Sequence, residues 1–154
     1  MAKQKEKLTV SAIKNGTVID HIPADNLFKA LSILHVDMMN TTITIGNNLE
    51  SSRLGKKGIL KIADKHFSNE DLNKIAMVAP TARINIIQDY EVVDKYNVKI
   101  PDQIRGIFKC MNPKCITNVE KMTTKFEVIE KNGKLQLKCK YCEKITDQEH
   151  FETR

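Results

Sequence analysis

The spacing of the four cysteines constrains this chain more than any other feature. Cys110 and Cys115 have four residues between them, Cys139 and Cys142 have two, and 23 residues separate the pairs. Two short-spaced pairs on separate turns converge into a tetrahedral thiolate set, the donor arrangement of a closed structural zinc site. Pro113 inside the first loop and a hairpin leading into Cys139 both pre-shape the knuckles. Lys109, Lys114, Lys138 and Lys140 stand beside the cysteines and offset the negative charge of four thiolates on one divalent ion. The alternatives are two disulfides, iron, or free buried thiols. Disulfides conflict with a cytosolic chain, and iron on four thiolates is possible in geometry but has no electron-transfer signal beside it. A catalytic zinc keeps an open position, and no histidine lies inside the framework. The expectation is one structural Zn2+ per chain.

The segment around the cysteines needs such a staple. Residues 101–154 read as short strands at Gly106 to Lys109, Lys125 to Ile129 and Lys134 to Cys139. The last two are joined through Asn132-Gly133, a strong two-residue hairpin signal. About fifty residues with few large side chains bury too little apolar surface to be stable alone.

Residues 1–100 follow a different pattern. Leu8 to Lys14 and Thr17 to Ile19 read as strand segments, with Asn15-Gly16 as a turn or bulge. Leu27, Phe28, Leu31 and Leu34 paint one face of a helix that has Pro23 near its start. Thr41 to Ile45 and Gly58 to Ile62 read as strands. Ser68 and Asp71 form a helix start, the stripe Leu72, Ile75, Ala76, Ala79 follows, and Pro80 stops it. Ala82 to Ile87 and Tyr90 to Val93 are further strands, separated by Gln88-Asp89. The predicted class is α+β: an N-terminal ferredoxin-like βαββαβ sandwich over 1–100, then a small all-β four-cysteine zinc domain over 101–154.

Charge alone points to nucleic acid, because the net charge is +6 and the pI about 9.1. Its distribution does not. Residues 1–100 carry 14 Lys/Arg against 11 Asp/Glu and residues 101–154 carry 11 against 8, so the excess is spread evenly. The N-terminus is charged and lacks an apolar stretch of signal-peptide length, and no run is long enough to span a membrane, which predicts a cytoplasmic protein.

No P-loop, GxGxxG, GxSxG or HExxH motif occurs, and His21, His35, His66 and His150 are scattered, so nothing argues for an enzyme. Phosphate binding is easier to support. Lys57 and Lys61 flank one strand and Lys95 follows another, in positions that can converge on Asp20-His21. By sequence physics alone these lysines read somewhat more readily as solvated strand-edge side chains. Tyr90 is likewise either a stacking platform or a half-buried strand residue.

Longer stretches are familiar. Gly16-Thr17-Val18-Ile19-Asp20-His21-Ile22-Pro23, Ile43-Thr44-Ile45-Gly46, Gly55-Lys56-Lys57-Gly58-Ile59-Leu60-Lys61-Ile62, Asn85-Ile86-Ile87-Gln88-Asp89-Tyr90-Glu91-Val92-Val93 and Leu137-Lys138-Cys139-Lys140-Tyr141-Cys142 resemble the aspartate carbamoyltransferase regulatory chain family, in order, over about residues 7–145. The resemblance implies a non-catalytic allosteric subunit of pyrimidine biosynthesis that binds CTP or ATP, with UTP assisting. It implies a regulatory homodimer inside a larger hetero-oligomer and a zinc domain that contacts the catalytic chain. It places the effector base against Val10, Ala12, Ile13, Tyr90 and Val92, largely through backbone groups. The ribose then falls at Asp20 and Lys61, the phosphates at His21, Lys57, Asn85 and Lys95, and Ile87 lines the pocket. The family often has an acidic residue where this chain has Ser11, and Asn is common where it has Lys114. The competing readings are a zinc-ribbon nucleic-acid-binding protein and a free-standing sensing module without an enzyme partner.

Overall fold

The computed structural model describes residues 12–153. The chain divides into two compact units, residues 1–99 and 100–154.

The first unit is a five-stranded antiparallel sheet in the order β2-β3-β1-β4-β5. Its strands are β1 (Gly16–Pro23), β2 (Ile43–Ser51), β3 (Gly55–Ala63), β4 (Arg83–Gln88) and β5 (Glu91–Asn97). Helix α1 (Leu27–Ile33) follows β1, and α2 (Asn69–Lys74) follows β3 and runs on into a 3-10 turn, Ile75–Met77. Strands β2-β3-β1-β4 have the ferredoxin-like order, and β5 extends the sheet beyond β4. Ile19, Leu60, Ile62, Ile84, Leu27, Leu72 and Ile75 are fully buried and form the core.

The capping expectation holds for α2, where the Ser68 hydroxyl accepts the Asp71 N–H at 3.2 Å. Its stripe of Leu72, Ile75, Ala76 and Ala79 is buried throughout. The face expected for α1 is wrong in part. Phe28 is 70% exposed, and the buried positions are Leu27, Ala30, Ile33 and Leu34. Leu27 spaced i, i+3, i+6, i+7 from the others defines the true stripe, and small Ala30 lets the helix approach the sheet. Of the expected strand Leu8 to Lys14, residues 12–14 are irregular, and the rest lies outside the described residues.

The second unit is a four-stranded antiparallel sheet, β6 (Gln103–Arg105), β7 (Lys125–Lys131), β8 (Lys134–Cys139) and β9 (Ile145–Asp147), paired in that order. Asn132 and Gly133 both have positive φ, 53° and 76°, as the type I′ hairpin requires. The stretch Gly106 to Lys109 is not a strand of this sheet. Phe108 makes only an isolated bridge to Thr153, because its ring is taken into the core against Phe151, with centroids 5.2 Å apart. A short helix α3 (Ile116–Val119) inside the region read as all-β follows the second cysteine.

One glycine of the first unit is sterically dictated. Gly16 has φ +140°, and a Cβ there would meet the Ile62 carbonyl oxygen at 2.1 Å. Gly16→Ala is expected to destabilise residues 1–99 by about 2–4 kcal/mol, read as faster amide exchange along β1 and β3. Unchanged exchange would mean that β3 moves aside without cost.

Candidate functional site

The cysteine set is assembled by two turns of unequal construction. Cys139 ends β8, and its turn is closed by Glu143 N–H donating to the Cys139 carbonyl at 2.9 Å and Cys139 N–H donating to the Lys144 carbonyl at 3.0 Å. Glu143 takes φ 64° to complete it. The wider turn is tied by Asn118, whose amide donates to the carbonyls of Cys110 and Asn112, both at 2.8 Å. Cys115 sits at the start of α3.

The sulfurs are preorganised. Cys110 and Cys142 Sγ are 3.7 Å apart, as are Cys115 and Cys139 Sγ, and all four lie within 4.8 Å of one another. A tetrahedral zinc with bonds of about 2.3 Å separates its sulfurs by about 3.8 Å, so the set fits one structural zinc. Donors surround the sulfurs as thiolates need. The Thr117 hydroxyl donates to Cys115 Sγ at 3.2 Å, and the Tyr141 N–H reaches Cys139 Sγ at 3.4 Å. Burial pushes the Cys110 thiol up to about 12 and raises Cys139 as well. Burial raises Cys142 too, but the Lys144 N–H and neighbouring donors outweigh it and bring that thiol down to about 7, so a divalent ion is needed to hold Cys110 and Cys139 as thiolates beside it.

Zinc in such sites is worth on the order of 10 kcal/mol or more of folding free energy. Cys139→Ser is expected to abolish stoichiometric metal binding and unfold residues 100–154, leaving the amide signals of β1–β5 in place. A folded second unit without metal would overturn that linkage.

The sheet of the first unit carries a second constellation. Directly paired residues in antiparallel strands share a face. Thr44 pairs with Lys61, Lys61 with Val18, Val18 with Asn85, and Asn85 with Lys95, so a single transverse row crosses all five strands. Two residues along β1 and β4, Gly16 and Ile87 form the next row on that face, and Val92 joins it opposite Ile87 across a bulge in β5. Ile13, Val18 and Ile87 make a small apolar cluster, and Ile59, two residues from Lys61 on the Asp20 side, packs against it. Two residues in the other direction, Asp20 stands opposite Arg83. The face therefore grades from apolar to charged over about 14 Å, two row spacings of about 6.8 Å each.

The charged end is built on a bulge. Register slips between Ile19 and Ile22 of β1, and His21 takes φ 59°. Its backbone is held on both sides, by N–H donation to Asp20 Oδ1 at 2.6 Å and by acceptance at its carbonyl from the Thr81 hydroxyl at 2.8 Å. Lys57 Nζ grips both oxygens of Asp20, at 2.9 and 3.2 Å. Burial lowers the His21 pKa. Asp20 opposes that shift, while Lys57, Arg83 and Arg53 add to it. Lys61 is also lowered by burial, against the pull of Asp20. His21 Nδ1 and Asn85 Oδ1 are buried with no partner among the described residues.

The apolar end is closed by a turn. Asp89 and Tyr90 have φ 50° and 68°, so Tyr90 belongs to the β4–β5 turn and not to the strand expected from Tyr90 to Val93. Tyr90 N–H donates to the Lys14 carbonyl at 2.9 Å and Asp89 N–H to Asn15 Oδ1 at 3.1 Å, which ties the turn to the segment of Ala12 and Ile13. Lys57 and Lys61 lie within β3 and Lys95 within β5, instead of flanking them, since the strands run longer than their β-branched centres. Val10 lies outside the described residues. Thr81, Arg83 and Arg53 were not singled out in the sequence, although period-2 alternation already aligned Arg83 with Asn85 and Ile87.

Comparison with known proteins matches both units. Residues 8–99 match the aspartate carbamoyltransferase regulatory chain, allosteric domain, and residues 102–152 its metal binding domain. Aspartate carbamoyltransferase regulatory chains from Bacteroides fragilis and Bacteroides thetaiotaomicron are each 55% identical, covering 97% and 98% of both chains. One from Pyrococcus horikoshii is 50% identical over 94% of this chain and 96% of its own. Two matched domains in order and similarity along nearly the whole length establish that this chain belongs to the aspartate carbamoyltransferase regulatory chain family, a family of non-catalytic subunits.

Proposed function

We propose that the graded face of the first unit is the effector site for nucleoside triphosphates, CTP and ATP with UTP assisting, in a cytoplasmic subunit of pyrimidine biosynthesis. One observation carries this reading: the row Lys61, Val18, Asn85, Lys95 lies between an apolar cluster at Ile13 and Ile87 and a charged end at Asp20, His21 and Lys57. A nucleoside triphosphate has the same polarity along a similar length. The base would stack over the Ile13, Ile87 and Val92 end beside Tyr90, with Ala12 and the adjoining backbone reading its edge. Backbone groups suit a site that accepts both a pyrimidine and a purine. Asp20 and Lys61 would take the ribose, and His21, Lys57, Asn85 and Lys95 the phosphates. His21 Nδ1 and Asn85 Oδ1, buried and partnerless among the described residues, are groups that a bound polar ligand would satisfy.

The second unit, on this reading, contacts the catalytic chain. Met111, Ile116, Val119 and Tyr141, on the zinc turns and α3, are exposed by 38–66%, an apolar surface for so small a unit. The regulatory chains would form a homodimer within the larger hetero-oligomer. The effector accelerates no chemistry here. It biases a two-state quaternary equilibrium by binding one state better, with couplings typically on the order of 1–3 kcal/mol. Full-length likeness to regulatory chains does not favour the nucleic-acid reading.

Calorimetric titration of the zinc-loaded chain tests the site. CTP and ATP should bind saturably, and Lys61→Ala and Lys95→Ala should each weaken them by about tenfold or more, as loss of a charge-assisted bond does. Absence of binding would remove the effector site. The pH dependence has a definite sign. In the free chain His21 is held below its ordinary pKa, and a phosphate beside it favours the imidazolium, so binding takes up a proton. Affinity should therefore rise as pH falls from about 8 to about 6, and His21→Asn should flatten that slope.

A further inference from the structure

We propose that Arg83 is an additional anion-binding residue of the graded face, and that it sets a preference for effectors carrying a triphosphate over those carrying one phosphate. The inference rests on the effector reading above and names a determinant which that reading lacks.

The geometry begins with register. Arg83 in β4 is the direct cross-strand partner of Asp20 in β1, so their Cβ atoms are about 5 Å apart on the same face. Arg83 is two residues from Asn85 and shares its face, at the charged end of the strip. Opposite charges placed in this way ordinarily pair with each other. Here they do not, because the Asp20 carboxylate is already taken. Lys57 Nζ holds both its oxygens, at 2.9 and 3.2 Å, and the His21 N–H holds Oδ1 at 2.6 Å. Among the described residues no carboxylate pairs with Arg83.

The local balance is therefore positive. Lys57 is matched by Asp20, whereas Arg83 stands unmatched beside a histidine with a buried, partnerless Nδ1. The charge of Arg83 reaches that imidazole, as does that of Arg53 in the β2–β3 turn. An arginine side chain offers five donors in a planar fork suited to phosphate oxygens, and its exposure keeps it accessible from solvent. The far end of the strip from the apolar cluster is where the last phosphates of an extended triphosphate would lie. With its ribose at Lys61 and Asp20, a monophosphate would set its single phosphate at Asn85 and Lys95, and only the outer phosphates of a triphosphate would reach Arg83. That difference in reach is the source of the selectivity.

The test is calorimetric titration of the zinc-loaded full chain with CTP, CDP, CMP and inorganic tripolyphosphate, on the wild type, Arg83→Gln and Arg83→Lys. Arg83→Gln should weaken CTP and tripolyphosphate by about tenfold and CMP by less than about twofold, and Arg83→Lys should restore much of the loss. Equal weakening of CTP and CMP, or no weakening, would overturn the assignment while leaving the effector site intact. Tripolyphosphate binding that depends on Arg83, without any nucleotide binding, would support Arg83 and sink the nucleotide reading. A wild type that binds none of the four sinks both.

Discussion

Strand β1 is hydrogen-bonded along both edges, to β3 and to β4, and the first unit depends on that double pairing. Because it is central, its register decides which residues of four other strands share its faces. One face buries Ile19 with Leu60 and Ile84 and becomes core. The other aligns Val18 with Lys61, Asn85 and Lys95. A slip of one residue would exchange the two sets, placing lysines in the core and isoleucines in water, so the core energetics that hold the fold also hold the site. The bulge at Asp20 and His21 falls between Ile19 and Ile22, which both remain fully buried. Backbone strain at His21 is offset there by bonds from Asp20 and Thr81.

The second unit is organised by a different constraint. Its apolar core is small, centred on Phe108, Phe126, Leu137 and Phe151, and the four buried sulfurs extend it. A metal set of this kind does the work that a larger hydrophobic core does elsewhere, because bonds to zinc replace area that so short a chain cannot bury. The turns around the cysteines spend their polar groups on one another and on the sulfurs. The side chains of Met111, Ile116 and Val119 remain exposed.

Much of this was legible in the sequence where the cause is local. The Ser68 cap, the Asn132-Gly133 turn and the cysteine spacings each act within a few residues, and the structure realises all three. The α1 face is not legible at Phe28, because a seven-residue helix offers too few turns for periodicity to choose between adjacent stripes. Aromatic residues favour strands, which is why the sequence points to a strand at Tyr90, and the type I′ turn overrides that preference by pinning the tip to Lys14 and Asn15.

The sequence by itself determined the two-part organisation, the four zinc ligands and the family, since spacing and motif order are properties of the chain alone. Only the tertiary structure decided that Asp20 is gripped by Lys57 and faces Arg83, that Thr81 holds the His21 carbonyl, and that Lys61, Asn85 and Lys95 stand in one row. These partners are dozens of residues apart, and no local preference carries their pairing. It follows from strand order and register, which are settled when the apolar faces of all five strands are buried together.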